Sequence, residues 1–365
     1  MMHLRKLLFL ATSAVAGLVL LAGCEPGSEL AFNASPPNQT VPPGQTVPPG
    51  QFVSAGQFVS AGQFVPAGQV VSVGAPVSAR SQSLPARSPQ TILIASFNIQ
   101  TLGEKKVADA WVVARIAAVI QQFDVVAIQE IRAENQTLIP RLLQHVNARG
   151  GRYDYLIGPR LGRTVSKEQY AYIYDTNKLV TSPDASYTIE DNADYLHREP
   201  LVARFVARVP PNYRPFTFSL VNIHTDPDEV KTELPVMHTV LKGIRQFEYM
   251  SAQEDDVLLM GDLNAGPKQF GELGRIPQIY WTVDNEFTNT IRKSIYDNIL
   301  FDRGLTNEFT GRSGVLDLCD MFGIKMEEAL RISDHLPIWA EFTAVEQVFG
   351  VNTAFGDGNL SPSRR

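Results

Sequence analysis

Apolar runs of strand length recur along this chain, and each is tied to a carboxylate, a side-chain amide or a histidine. Ile92-Leu93-Ile94-Ala95-Ser96-Phe97 closes on Asn98, and Val125-Val126-Ala127-Ile128-Gln129 closes on Glu130. Phe218 to Ile223 closes on His224, and Val257 to Gly261 closes on Asp262, with Asn264 two residues on. Ile332-Ser333-Asp334-His335 leads into Leu336-Pro337-Ile338-Trp339. Continuous apolar runs of this length belong to buried strands, which end together at a sheet edge. Groups far apart in sequence can gather there as one polar cluster on a rigid apolar base. Two histidines, three acids and two amides in such a cluster point to metal-assisted hydrolysis.

The chain has 365 residues, but its first ninety or so contribute no such runs. Arg5 and Lys6 precede an apolar stretch from Leu7 to Leu21 that ends in Ala22-Gly23-Cys24. A stretch this short with small residues at its end reads as a secretory signal and not as a membrane span. Cys24 after Leu21-Ala22-Gly23 resembles the lipobox of bacterial lipoproteins, in which the cysteine is lipidated and becomes the mature N-terminus. An ordinary signal cut nearby, with Cys24 incidental, is the bland alternative. Either reading places the protein outside the cytoplasm, as a lipoprotein anchored to a membrane or as a secreted protein.

Residues 25–90 are rich in Gly, Pro, Ser and Gln and carry a six-residue repeat, seen as Gly50-Gln51-Phe52-Val53-Ser54-Ala55 and again from Gly56 to Ala61. So few units cannot stack a stable β-helix, and the segment reads as a spacer. It would span about 45 Å as a coil and about 200 Å as extended polyproline II. One domain of about 250 residues, 91–344, follows, with a disordered tail at 345–365. Cys319 is the second of two cysteines. With Cys24 lipidated, packing or bound ions must hold the core, and Cys319 reads as a buried small apolar residue. Formal net charge is −6, two units more negative once Arg5 and Lys6 leave with the leader. That is not the electrostatic footprint of a tight nonspecific nucleic-acid binder, and it does not exclude a nuclease, because carboxylates that load a divalent ion invert the local sign.

Strand patterns near Ile92, Val125, Tyr170, Leu201, Phe216, Val257, Ile295 and Ile338 intersperse with helical ones. The helices are expected over Val107 to Gln122, Gln136 to Asn147, Asp228 to Ala252 and Lys325 to Leu330. Adjacent strands after Tyr170, joined by short turns, argue for antiparallel pairing and against a pure doubly wound sheet. The expected class is α/β with two mixed sheets packed face to face and helices outside.

Asp262 and Asn264, two apart on an extended chain, would point to one side, where the acid holds a cation and the amide donates to a phosphate oxygen. Taken alone, Asp and Asn after a strand more often make a turn. Glu130 adds a hard oxygen ligand suited to Mg²⁺ or Mn²⁺. His224 and His335 can supply the base and acid of phosphodiester hydrolysis, with Glu168 and Asp297 as candidates to fix their tautomers. Either histidine by itself would read as a satisfied structural residue; the fragments together carry the reading.

The fragments SFNIQ, AIQEIR, SKEQYAYIYD, REPLVARF, LVNIHTDPDE, VLLMGDLNA, YDNILF and ISDHLPI follow one another in the order found in the endonuclease/exonuclease/phosphatase superfamily. The chain resembles that superfamily, and its deoxyribonuclease I branch in particular, from Thr91 to Thr343. The resemblance implies a four-layered α/β/β/α sandwich and divalent-metal hydrolysis of phosphodiester or phosphomonoester bonds. It implies metal-site roles for Glu130, Asn98, Asp334 and Asp262, and phosphate or second-metal orientation by Asp262 and Asn264. His335 with Asp297 and His224 with Glu168 resemble the acid/base pairs. Arg198 resembles a phosphate contact, and Arg132 a minor-groove contact that reads width more than sequence. Ser166 stands where the branch places an aromatic, so a stacking contact with base or sugar is lost; the branch's disulfides are absent too.

The expected protein is a monomeric, low-specificity endonuclease using Mg²⁺ or Mn²⁺, with Ca²⁺ as a further ion, on DNA or else RNA. Its rivals are a phospholipid headgroup phosphodiesterase or phosphatase and a non-catalytic surface binding module.

Overall fold

The computed structural model describes residues 83–164 and 167–347. The leader, Cys24, the hexapeptide repeats, Ser166 and the tail beyond 347 lie outside the described residues. The strands are β1 Thr91–Leu102, β2 Val125–Ile131, β3 Tyr153–Ile157, β4 Gln169–Asp175, β5 Leu179–Val180, β6 Ser186–Thr188 and β7 Leu201–Ala207. They continue as β8 Thr217–His224, β9 Val257–Asp262, β10 Ile279–Trp281, β11 Asp297–Asp302, β12 Phe309–Val315 and β13 Ile338–Thr343. The helices are α1 Glu104–Ala108, α2 Ala110–Ile120, α3 Leu138–Asn147, α4 Val230–Ala252, α5 Leu318–Phe322 and α6 Met326–Ile332.

One sheet runs β12-β13-β1-β2-β4-β3 and the other β10-β11-β9-β8-β7-β5, with β6 on β7. Both are mixed, because β1 with β2 and β8 with β9 pair in parallel while their other pairings are antiparallel. The layers follow from side-chain alternation along each strand. On β1, Ile92 and Ile94 enter the core between the sheets, while Leu93, Ala95 and Phe97 pack beneath α2, α3 and α6. On β9, Leu258 and Met260 face the other sheet, and Val257 and Leu259 face α4. Helix, sheet, sheet and helix therefore stack as four layers. The inter-sheet core is aromatic: Phe205, Phe216, Phe218, Phe301 and Phe342 are fully buried, each worth about 1.5–3 kcal/mol of transfer free energy.

The helix expected over Val107 to Gln122 is two helices. Asp109 breaks it, its extended backbone standing between them and its side chain accepting hydrogen bonds from the Trp111 and Val112 amides to cap α2. Cys319 sits partly exposed in α5, which corrects its reading as buried. Packing also reaches past both ends of 91–344. Arg87 donates to Asp124 Oδ1 at 3.0 Å and to the Tyr153 hydroxyl at 2.9 Å, and Val345 bridges to Pro215.

Candidate active site

Alternation explains how the polar strand ends meet. On β8 the residues facing the other sheet run Phe218, Leu220, Asn222, His224, and on β9 they run Leu258, Met260, Asp262. On β11 the series Phe301, Ile299, Asp297 ends on an acid, and on the other sheet Tyr174, Tyr172, Tyr170, Glu168 does the same. Ile92, Ile94, Ser96 and Asn98 give the matching series on β1. Each apolar series thus becomes polar at the same mouth between the sheets. Below it, Gln129 donates to Asn222 Oδ1 at 2.6 Å and to Ser96 Oγ at 3.0 Å, linking the sheets through buried polar groups.

His224, Asp262 and Asp297 lie in one row across three neighbouring strands, His224 paired with Asp262 and Asp262 with Asp297. Nδ1 of His224 is 2.8 Å from Glu168 Oε1, and Nδ1 of His335 is 2.8 Å from Asp297 Oδ2. Both rings then turn Nε2 toward the same atom. Asp262 Oδ2 is 3.6 Å from Nε2 of His224 and 3.5 Å from Nε2 of His335. Asp262 is itself fixed by the Asn98 amide on Oδ2 at 3.0 Å and by the Asn264 N–H on Oδ1 at 2.9 Å. Gly261 makes room for the row. Its φ of +144° is one that side chains rarely adopt, and a Cβ there would lie 1.9 Å from the Ile223 carbonyl oxygen.

Electrostatics follow from this packing. Burial drives the Asp262 carboxyl up, but the imidazoles of His335 and His224 outweigh it and hold the group below its usual range. Burial opposes the charged form of His335, yet Asp297 and Asp262 raise its pKa well above the ordinary value. His224 is raised more modestly, burial being overcome by Glu168 and Asp262 while Arg198 acts against them. Asp297 goes the other way: burial pushes it up despite His335.

The oxygen donors form a second group beside this row. Glu130 has a φ of +60°, and the pairing register shifts around it, so it leaves the helix-facing series of Val126 and Ile128. It sits 3.3 Å from the Asn98 amide nitrogen. Asp334 accepts from Gln100 Nε2 at 2.7 Å and is 4.0 Å from His335 Nε2. Burial raises its pKa, with the Glu130 charge adding to it against His335. Among the described residues, Asn98 Oδ1, Asp297 Oδ1 and Asp334 Oδ1 are buried with no hydrogen-bond partner. Such oxygens fit a hard cation. Asp262, Asp297 and His335 also place one ligand atom each within 4.8 Å of one another.

One expected residue stands differently from its reading. Asn264 is not on an extended strand: β9 ends at Asp262, and Asn264 has a φ of +48° in a turn closed on the Asp262 side chain, its amide donating to the Thr225 carbonyl at 2.8 Å. Arg132 lies over the site, 3.2 Å from Glu130 Oε2 and 3.8 Å from Glu168 Oε2, with a third of its side chain exposed. Arg198 is buried, its Nε 2.6 Å from Glu168 Oε1 and donating to the His224 carbonyl at 3.1 Å. Three further residues were not singled out in the sequence. Gln100 follows Asn98 on the same strand face, a signal that could have found it. Tyr170 accepts from the His224 amide at 2.9 Å, and the Thr288 hydroxyl donates to Asp297 Oδ2 at 2.7 Å; neither carries a local sequence mark.

Residues 95–335 match the family described as the Endonuclease/Exonuclease/phosphatase family. The chain is 32% identical over 270 residues to deoxyribonuclease-1-like 1 of Sus scrofa, covering 71% of this chain and 83% of that protein. It is 32% identical over 272 residues to deoxyribonuclease gamma of Rattus norvegicus, covering 68% and 83% respectively. With deoxyribonuclease-1 of Homo sapiens the identity is 29% over 273 residues, covering 68% and 91%.

Proposed function

The chain belongs to the endonuclease/exonuclease/phosphatase family, and from that premise we propose that it is a divalent-metal-dependent endonuclease that cuts DNA with little sequence preference outside the cytoplasm. The observation that carries this reading is the pair of imidazoles, each anchored through Nδ1 by a buried carboxylate and each presenting Nε2 to Asp262.

Hydrolysis of a phosphodiester needs one group to take a proton from the attacking water and another to protonate the departing oxygen. A ring whose Nδ1–H is held by Glu168 or Asp297 keeps its Nε2 lone pair for the first task, and the same ring protonated performs the second. Asp262 stabilises whichever ring is cationic. Arg198 keeps one buried guanidinium nitrogen without a hydrogen-bond partner among the described residues, suited to a phosphoryl oxygen. Asn264 has a second amide hydrogen for the same purpose beyond the one given to Thr225. Mg²⁺ or Mn²⁺ held by Glu130, Asn98 and Asp334, with Asp262 beside them, would supply charge stabilisation to the phosphoryl group. Arg132 is the cation we assign to the DNA groove, exchanging Glu130 for the duplex.

DNA is favoured as substrate by the deoxyribonuclease names of the relatives. Extracytoplasmic action, with a membrane anchor through Cys24, is favoured by the leader and the spacer. A panel of plasmid DNA, RNA and labelled liposomes, each with Mg²⁺, Mn²⁺ and Ca²⁺, tests the substrate: turnover of lipid or RNA with intact plasmid overturns it. Recovery of the Cys24→Ser protein in the membrane fraction, unchanged from the parent, overturns the anchor.

A further inference from the structure

Below the mouth of the cleft, three fully buried polar side chains take no part in the chemistry assigned above: Ser96 on β1, Gln129 on β2 and Asn222 on β8. Each continues an apolar series facing the other sheet, after Ile94, Ala127 and Leu220 respectively. Each also stands one or two residues before a site residue, namely Asn98, Glu130 and His224. Buried polar groups cost free energy unless they are paired, and here every side-chain nitrogen and oxygen is. Gln129 Nε2 donates across the gap between the sheets to Asn222 Oδ1 at 2.6 Å and, within its own sheet, to Ser96 Oγ at 3.0 Å.

The Asn222 amide enters the other sheet where its ladder is interrupted. Strands β2 and β4 pair regularly as far as Ile128 and Ala171, and the register shifts before the next pair, Ile131 and Gln169. At that step Asn222 Nδ2 donates to the Ile128 carbonyl at 3.2 Å and to the Ala171 carbonyl at 3.3 Å. On the other flank of β2, the register with β1 shifts after Asn98 and Gln129. Glu130, with its φ of +60°, lies inside this irregular stretch. Irregularities of this kind re-aim a side chain, and here Glu130 comes to 3.3 Å from the Asn98 amide nitrogen.

The site depends twice on how the sheets are offset. Asn98 of one sheet donates to Asp262 Oδ2 of the other at 3.0 Å, and Glu168, just before β4, meets His224 Nδ1 at 2.8 Å across the same gap. Apolar contact between the sheets is non-directional, whereas a satisfied hydrogen-bond network admits one offset. We propose that Gln129 and Asn222 are positioning residues of the hydrolytic site: their bonds fix the sheet offset and hold the β2 irregularity that turns Glu130 toward Asn98, so that the cation ligands of one sheet face Asp262 and His224 of the other. The inference rests on the metal-dependent reading of the cleft given above, and both residues act through the groups they hold.

The test uses the full chain and a Ser96→Ala/Gln129→Met/Asn222→Leu variant, which replaces the whole network by apolar groups of similar size. Such a replacement leaves Tm within about 5 °C of the parent's. Mn²⁺ alone is the binding probe, titrated under electron paramagnetic resonance. The variant should bind it about 10–100-fold more weakly, and its plasmid-nicking kcat at saturating Mn²⁺ should fall about 10²-fold with KM for DNA unchanged. A lowered Tm with the parent's Mn²⁺ Kd and kcat would mark a merely structural network and overturn the inference. Should the triple variant not fold, Gln129→Met alone decides: an Mn²⁺ Kd weakened about tenfold or more supports the inference, and the parent's Kd overturns it. A parent that leaves plasmid intact counts against the nuclease reading, while the Mn²⁺ affinities still decide the positioning role.

Discussion

His224 and Asp262 stand side by side at the ends of parallel strands β8 and β9, paired in register, with Nε2 3.6 Å from Oδ2. Asp297 extends the row on the far side of Asp262 and holds His335 by Nδ1, so the second ring approaches the same carboxylate from another direction. One buried acid thereby couples two imidazoles. Neither ring can be perturbed without changing the charge seen by the other.

Glu168→Gln and Asp297→Asn keep the size of each anchor and remove its charge. Initial rates of plasmid nicking should fall about 10²–10⁴-fold in both variants. Glu168 raises the His224 pKa, so its loss lowers that pKa and moves the corresponding limb of the pH–rate profile to lower pH. An unshifted profile at full rate would remove Glu168 from the site.

Gly261→Ala tests the geometry that lets β8 and β9 end together. The new methyl would meet the Ile223 carbonyl and the backbone would keep a φ of +144°. Together, strain and overpacking should destabilise the domain by about 3 kcal/mol or more, read from denaturant midpoints. A change under about 0.5 kcal/mol would mean that the strand ends are not packed as described.

The strands that build the site could be read from sequence because their apolar runs are unbroken until the polar end residue. Side-chain alternation then fixes which way that residue points: Asp262 follows Leu258 and Met260 into the inter-sheet cleft. Other features were hidden for identifiable reasons. Asp109 splits a continuous apolar pattern by capping, which periodicity does not register. Strand β12 is short of apolar residues, with exposed Thr310, Gly311 and Arg312 at a register shift. Thr288 reaches Asp297 only through a loop whose path no local pattern encodes. An extended strand would set Asn264 beside Asp262 on one side, but the shorter-range bond from its N–H to the Asp262 side chain governs.

Gln100 holds Asp334 by a side-chain hydrogen bond of 2.7 Å and touches neither histidine through any hydrogen bond among the described residues. Gln100→Ala should therefore weaken apparent Mg²⁺ affinity about 10–100-fold. Nicking at saturating Mg²⁺ should recover most of its rate. A loss of rate with unchanged metal dependence would argue against this positioning role.

Three buried acids, Glu254, Asp256 and Glu308, make a signed prediction for stability. Asp256 at about 9 and Glu254 and Glu308 at about 7 lie above the unfolded values of about 4. Between these limits the folded state binds more protons, so stability falls as pH rises from about 4 to about 9. Below that window the groups are protonated in both states and the penalty vanishes. Asp256→Asn/Glu308→Gln should flatten the slope measured by urea unfolding across the window; parallel slopes in parent and variant would contradict the effect of burial on these groups.

The central claim is that two carboxylate-anchored histidines around Asp262 hydrolyse DNA with a divalent ion. The most direct measurement is the initial rate of supercoiled plasmid nicking in Mg²⁺ by the parent, His224→Ala and His335→Ala proteins, with circular dichroism reporting the fold. The account predicts nicking by the parent, a loss of about 10²–10⁴-fold in each variant, and unchanged spectra. Nicking at the parent's rate by both variants, or a folded parent that leaves plasmid intact with Mg²⁺ and Mn²⁺ alike, would contradict it.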